Sequence, residues 1–296
     1  MPSLAASLIN WILPLRGSRK RMSSEEGMAQ YYARHVSTPA PVPERLAREF
    51  RIREDAWGDL RFHTVAPHNS TRALRILYFH GGAYVNEMVS AHWNIIAALV
   101  RSTGATVDVP HYPLAPRHTW ADAFPLLKQF ALARLTISAG SRVAFVGDSA
   151  GAGLALALAQ VMRDEGHPLP RQLVLLSPFL DVGVNDAQQL ELAKRDRMLA
   201  APGLRWAGRQ WAGELPVDDP RISPIYGDLT GLPPVAVFTG TSDLLNTDAH
   251  RLREKAAEAN HPLTFVEYPD MCHVWMGVSI PEARAALDEV AQFLCQ

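Results

Sequence analysis

The chain has 296 residues, of which 48% are hydrophobic and 20% charged, and its formal net charge is -1. This composition suits a soluble globular protein of one large domain or two small ones, with enough apolar residues for a sizeable core. The charge balance offers no electrostatic footing for nucleic acid, an anionic membrane or a polyanionic substrate. No run of about 18 apolar residues occurs, so no membrane span is expected. Cys272 and Cys295 are too few for a disulfide framework, and the expectation is a cytoplasmic protein.

At the N-terminus Leu4, Leu8, Trp11, Ile12 and Leu15 recur at helical spacing. The stretch has no basic start, carries Pro14 where a signal core should continue, and is followed by Arg16, Arg19, Lys20 and Arg21. An amphipathic helix packed on the rest of the protein is expected, ahead of a cleaved signal or a membrane-surface helix. Pro39, Pro41 and Pro43 then forbid a continuous helix. The chain is accordingly divided into an N-terminal helical cap segment, residues 1–45, and a core, residues 46–296.

Within the core, residues 74–79, 105–109, 143–146, 173–176, 235–238 and 263–266 are short apolar runs. Several are nearly continuous, as in strands buried on both faces of a parallel sheet. Residues 91–101, 120–134, 151–164, 247–259 and 281–293 lie between and after these runs with helical length and periodicity. The alternation predicts an α/β fold, a parallel sheet with helices on both faces. Residues 187–213 break the rhythm with a helical insertion rich in Leu, Met and Trp. With the N-terminal helices it is expected to form a lid over the carboxyl edge of the sheet, where such folds bind ligands.

Gly147-Asp148-Ser149-Ala150-Gly151 runs from a predicted buried strand into an Ala/Leu-rich helix, the context a nucleophile elbow requires. A phosphate-binding turn fits worse, since no P-loop lysine follows and the dinucleotide spacing is absent. Ser149 is therefore the candidate nucleophile. Acyl transfer needs N–H donors aimed at the developing oxyanion. Ala150 supplies one, and the loop His80-Gly81-Gly82-Ala83-Tyr84, directly after an earlier strand, supplies the rest. Gly82 and Ala83 are assigned as donors, Gly81 as the residue shaping the turn, and His80 as a side-chain anchor.

The general base should be a histidine following Ser149 in the chain. His167 lies beyond the elbow helix, His250 inside a helical run, and His261 at the amino end of a strand. His273 is on a loop leaving a strand's carboxyl end, which makes it the base. Asp243, just past the preceding strand, is favoured as the acid. Asp248 in the first turn of the next helix and Asp270 on the His273 loop are the competitors. Asp148 is read as structural, holding loop backbone around the elbow. No histidine or cysteine spacing suggests a metal site, and neither a metal nor another cofactor is expected.

Together these residues resemble the hormone-sensitive-lipase-like carboxylesterases, the bacterial family IV esterases of the α/β-hydrolase fold. The likeness is carried by the His80–Tyr84 and Gly147–Gly151 segments, Tyr112-Pro113-Leu114-Ala115-Pro116, Ser177-Pro178-Phe179-Leu180-Asp181, Ser223-Pro224-Ile225-Tyr226 with Leu232-Pro233-Pro234, and the Asp243 and His273 loops. It implies an eight-stranded, mostly parallel sheet with a helical cap, and a Ser149–His273–Asp243 triad acting on a small-molecule ester. A homodimer through the last strand is common in similar proteins. The sequence departs from the family pattern in three places. Ala83 replaces a third glycine, Pro113 replaces an arginine, and Leu244 replaces a proline after the acid. The subset most resembled contains acetylhydrolases and lactone hydrolases. Lactonase or N-/O-acetylhydrolase activity, or a ligand-binding receptor without catalysis, are the alternative readings.

Overall fold

The computed structural model describes residues 3–12, 17–69, 73–137 and 142–296, with the side chains of 9–11 outside the description. Four helices come first: α1 (Leu4–Ile12), α2 (Ser18–Met22), α3 (Glu25–Arg34) and α4 (Glu44–Glu49). A hairpin of β1 (Arg51–Trp57) and β2 (Leu60–Ala66) follows. Then come β3 (Leu74–Phe79), α5 (Ser90–Thr103), β4 (Thr106–His111), α6 (Trp120–Ile137), β5 (Arg142–Asp148), α7 (Ala150–Asp164) and β6 (Gln172–Leu176). The chain continues through α8 (Ala187–Ala193), α9 (Ala201–Ala212), β7 (Val235–Gly240), α10 (Asn246–Glu258), β8 (Leu263–Tyr268) and α11 (Pro281–Cys295).

The eight strands form one sheet in the order β1-β2-β4-β3-β5-β6-β7-β8. β2 runs antiparallel to β1 and β4, and the remaining pairs are parallel. All six expected strands form. β1 and β2 complete the eight strands that the resemblance implies, although no apolar run marks β1, which reads Arg-Ile-Arg-Glu-Asp-Ala-Trp and is almost wholly exposed. It is an edge strand, where charged side chains blunt pairing with other chains. The division expected after residue 45 falls inside α4.

The order of strands has a direct consequence for the site. From β3 the chain crosses to β4 on one side, then returns past β3 to β5 on the other. The adjacent strands β3 and β5 therefore leave their carboxyl ends in opposite directions, opening the crevice at which doubly wound sheets bind ligands. Two cores flank the sheet. One holds α5 and α11 against residues such as Ile76, Val107 and Val174. The other holds α6, α7 and α10 with Leu77, Phe145 and Leu175, and it also takes in α3 and α9.

The N-terminal helices α2 and α3 pack against α9. Gly203 on α9 lies so close to Met22 that a Cβ there would meet its backbone. α1 departs from expectation. The helix forms, but Leu4, Leu8 and Ile12 are 91%, 57% and 39% exposed, and the side it turns inward carries Ala6. Ser3 fastens it by donating from its backbone N and its hydroxyl to Glu282. Helical periodicity identifies a stripe but does not say which side of it faces the protein. Among the described residues no helix is long and apolar enough to cross a membrane.

Candidate functional site

The elbow is built by close backbone approach. Ser149 adopts φ 53° and ψ -121° between β5 and α7, a conformation that costs a non-glycine residue on the order of 1–3 kcal/mol. Its neighbours hold it there. Ser149 N donates to Leu176 O (2.8 Å), while Ser149 O accepts from Phe179 N (3.1 Å) and Ala152 N (3.1 Å). A Cβ on Gly147 would strike the Gly151 carbonyl, and one on Gly151 would strike the carbonyl of Phe79. Both contacts are backbone to backbone and cannot be relieved by a rotamer change. Gly151→Ala is therefore expected to destabilise the fold by more than about 3 kcal/mol. That corresponds to a Tm drop on the order of 6–12 °C in thermal denaturation. An unchanged Tm would show that the elbow has room the geometry denies.

The loop after β3 faces the elbow across the crevice. A trans peptide points its C=O and N–H in opposite directions, so anchoring a carbonyl aims the next amide. Gly81 O accepts from His80 Nδ1 (2.8 Å), which aims the N–H of Gly82. Gly82 O accepts from Val85 N (3.1 Å), Asn86 N (2.9 Å) and Asn86 Nδ2 (3.1 Å), which aims the N–H of Ala83. Among the described residues, the amides of Gly82, Ala83 and Ala150 are given to no protein acceptor. His80 is fully buried, stacked on Tyr112, and its carbonyl accepts from the Tyr112 hydroxyl. Burial, with His92 nearby, pushes its pKa down to about 4. The ring is thus neutral at pH 7 and donates through Nδ1.

Asp148 ties loop and elbow together. Oδ1 accepts from Tyr78 Oη (2.6 Å) and Gly81 N (3.0 Å), and Oδ2 accepts from His92 Nε2 (3.2 Å). Burial alone would raise its pKa, but His92 and these donors outweigh that and hold it below the usual range. A carboxylate engaged by three donors inside the protein holds the loop backbone in place around the elbow.

The loop after β8 brings His273 over the elbow. Ser149 Oγ donates to His273 Nε2 (2.9 Å), and His273 Nδ1 donates to Asp243 Oδ2 (2.8 Å). All three side chains are buried. Burial disfavours the imidazolium, but the Asp243 carboxylate, with Asp196 and Asp148 behind it, more than offsets this and lifts the pKa of His273. Asp243 Oδ1 accepts from Leu245 N (2.9 Å), so both of its oxygens are engaged.

The other candidates are elsewhere. Asp248 is buried and accepts from Leu180 N and Asp181 N (2.8 and 3.1 Å). Asp270 is exposed, and its backbone N donates to Thr241 Oγ1. His250 bonds Glu267, and His167 lies by Glu165. Within the 187–213 insertion, Trp211 stacks on Tyr84 (4.5 Å, 6°) and Trp206 on Tyr32 (5.6 Å, 14°). Leu204 is buried, and Met198 touches both cores. The side chain of Trp11 lies outside the described residues.

One acidic group in the site was not anticipated. The carboxylate of Asp196, in the turn between α8 and α9, accepts from Leu244 N (2.8 Å), Met198 N (2.7 Å) and Leu199 N (2.8 Å). Burial and the neighbouring Asp243 raise its pKa. The turn itself is gripped by Arg19 of α2, whose Nη1 donates to the carbonyls of Ala193 (2.9 Å), Asp196 and Leu199 (3.0 Å). Nothing local in sequence marks Asp196, because its importance comes from the proximity of residue 244. The same two carboxylates, after burial, push the Cys272 thiol up to about 12, so it stays protonated beside His273.

Residues 76–277 match a family described as alpha/beta hydrolase fold. The chain is 36% identical over 226 residues to an acetyl-hydrolase of Streptomyces hygroscopicus, covering 74% of each. It is 30% identical over 263 residues to an esterase of Acinetobacter venetianus, covering 86% of each. In structure it is similar to a hormone-sensitive lipase from a metagenome library, with TM-score 0.84, 26% identity and 100% and 99% of the two chains covered.

Proposed function

The chain belongs to the α/β-hydrolase fold family, in its hormone-sensitive-lipase-like branch, and on that premise we propose that it is a serine carboxylesterase for esters of small to medium acyl chains. The observation that carries this reading is the unbroken line of hydrogen bonds from Asp243 through His273 to Ser149. It ends across the crevice from a loop whose carbonyls are anchored so that two amides turn away from them.

In the proposed reaction His273 takes the Ser149 proton as Oγ attacks the ester carbonyl. The amides of Gly82, Ala83 and Ala150 receive the oxyanion. His273 then passes the proton to the alcohol as the C–O bond breaks, leaving an acyl-enzyme. Water adds to the acyl group with His273 again as base, and the acid departs as Ser149 is restored. Asp243 keeps Nδ1 protonated throughout, so Nε2 faces Ser149 as an acceptor. The helices α2, α3, α8 and α9 act in this proposal as the cap over the site. Ala83 favours smaller acyl groups, since it keeps the N–H but adds a methyl group where relatives have glycine. The acetyl-hydrolase name of one relative supports the same size class. We include in the proposal a cytoplasmic location and a homodimer along the outer edge of β8, the last strand of the sheet. Sedimentation velocity tests the dimer.

The test is turnover of p-nitrophenyl acetate and butyrate, with lactones and acetylated amines run in parallel, together with labelling by diethyl p-nitrophenyl phosphate. Ester turnover above buffer, stopped by one phosphoryl group per chain on the Ser149 peptide, is the expected result. No turnover and no label would sink the proposal. Faster lactone or amide cleavage, with the same label, would keep the machinery and change the substrate class.

A further inference from the structure

The oxyanion loop is strained. Ala83 and Tyr84 follow Gly82 with φ 53° and 62°, two consecutive non-glycine residues in the left-handed region. Such residues persist only where the surroundings over-determine them. On one side the support is Trp211 of α9, stacked flat on the Tyr84 ring. On the other side it is Asn86, whose Nδ2 and backbone N both donate to Gly82 O.

Asn86 has a further bond, to Tyr32 on α3. The Tyr32 hydroxyl donates to Asn86 Oδ1 (2.7 Å). The network dictates these roles. Gly82 O can only accept, so Nδ2 must face it, and Oδ1 is left to accept from the tyrosine. Turned over, the amide would set its own oxygen against the Gly82 carbonyl. The Tyr32 ring is buried and packs on Trp206 of α9, so its hydroxyl is placed by the joint position of α3 and α9.

We propose that Tyr32 is a positioning residue for the oxyanion hole, acting through Asn86, so that seating of α3 and α9 on the sheet is a condition for transition-state stabilisation. This rests on the reading of Gly82 and Ala83 as oxyanion donors. A single line runs from the cap to the chemistry: Tyr32 orients the Asn86 amide, Asn86 holds the Gly82 carbonyl, and that carbonyl aims the Ala83 N–H. The oxyanion exists only in the transition state and tetrahedral intermediates. Loosening this line should therefore act on kcat and leave substrate affinity alone.

Tyr32→Phe keeps the ring on Trp206 and removes only the hydroxyl. It is expected to lower kcat on p-nitrophenyl butyrate by about tenfold with KM within twofold. Affinity for a boronic acid that forms a tetrahedral adduct on Ser149 should weaken by the same factor. Asn86→Ala should have at least as large an effect. In the Asn86→Ala background, Tyr32→Phe should change nothing further, since the line is already cut. Thermal denaturation shows whether each variant is folded, and Asn86→Ala carries the kcat and boronate test alone if Tyr32→Phe is not. An unchanged kcat in a folded variant, a loss residing in KM, or fully additive effects would each overturn the inference. A wild-type protein without Ser149-dependent turnover would instead overturn the proposed function, which separates the two failures.

Discussion

Ser149→Ala is expected to lower kcat on p-nitrophenyl butyrate by about 10⁶-fold, with KM changed by no more than a few-fold. The residue sits where only one atom can do its work. Oγ is held 2.9 Å from His273 Nε2 by a backbone that Leu176 and Phe179 lock in place. Alanine adopts the same backbone, so the fold and the amides proposed as oxyanion donors survive while the proposed acyl acceptor is lost. What remains is the modest catalysis an oxyanion hole and binding give to attack by water. His273→Ala should cost a similar factor, and the double variant little more, because nucleophile and base act as one unit in the proposed mechanism. Steady-state kinetics on the three variants checks this. Multiplicative losses would mean that the two residues work independently.

Asp243→Asn is the second large effect, about 10⁴-fold in kcat. The asparagine amide fits the same space but can donate toward His273 Nδ1, favouring the tautomer whose Nε2 carries the proton. That tautomer cannot accept from Ser149. The pH profile supplies a second readout. His273 must be neutral to act as base, so kcat/KM rises with pH as the imidazolium loses its proton. Against the burial that lowers it, Asp243 lifts this pKa above the ordinary histidine value. The wild-type acid limb should therefore lie above pH 6.5, and in Asp243→Asn it should move to lower pH. Asp270→Asn, at an exposed position, should leave rate and limb unchanged. An active Asp243→Asn with an impaired Asp270→Asn would assign the acid to Asp270 and discard Asp243.

Much of this was legible before any coordinates. Five of the six parallel strands announce themselves because most of their residues are buried on both faces, which keeps their runs largely apolar, while edge strand β8 is only half-buried and is marked by its Leu, Phe and Val residues. β1 is invisible for the opposite reason: its exposed, charged residues look like any loop. The segments around Ser149 and Gly82 carry glycines whose need is local, since a sharp turn or a close backbone approach has to be written where it occurs. His273 could be selected by its place relative to a strand end, and Asp243 likewise, with Asp248 and Asp270 left as rivals.

The sequence by itself therefore determined the layered α/β architecture and singled out the elbow, the glycine loop and the histidine as the candidates for the proposed site. Each depends on neighbours within a few residues or on a periodicity along one segment. The tertiary structure decided that the Leu4, Leu8 and Ile12 stripe points outward. It set Asp243 rather than Asp270 against His273, Asp196 behind Asp243, and Tyr32 against Asn86. The hydrogen bonds concerned, the second of them from Leu244 N to Asp196, span 30, 48 and 54 positions of the chain. A hydrogen bond over such a span is specified by how helices seat on a sheet, and no local pattern of residue types encodes that.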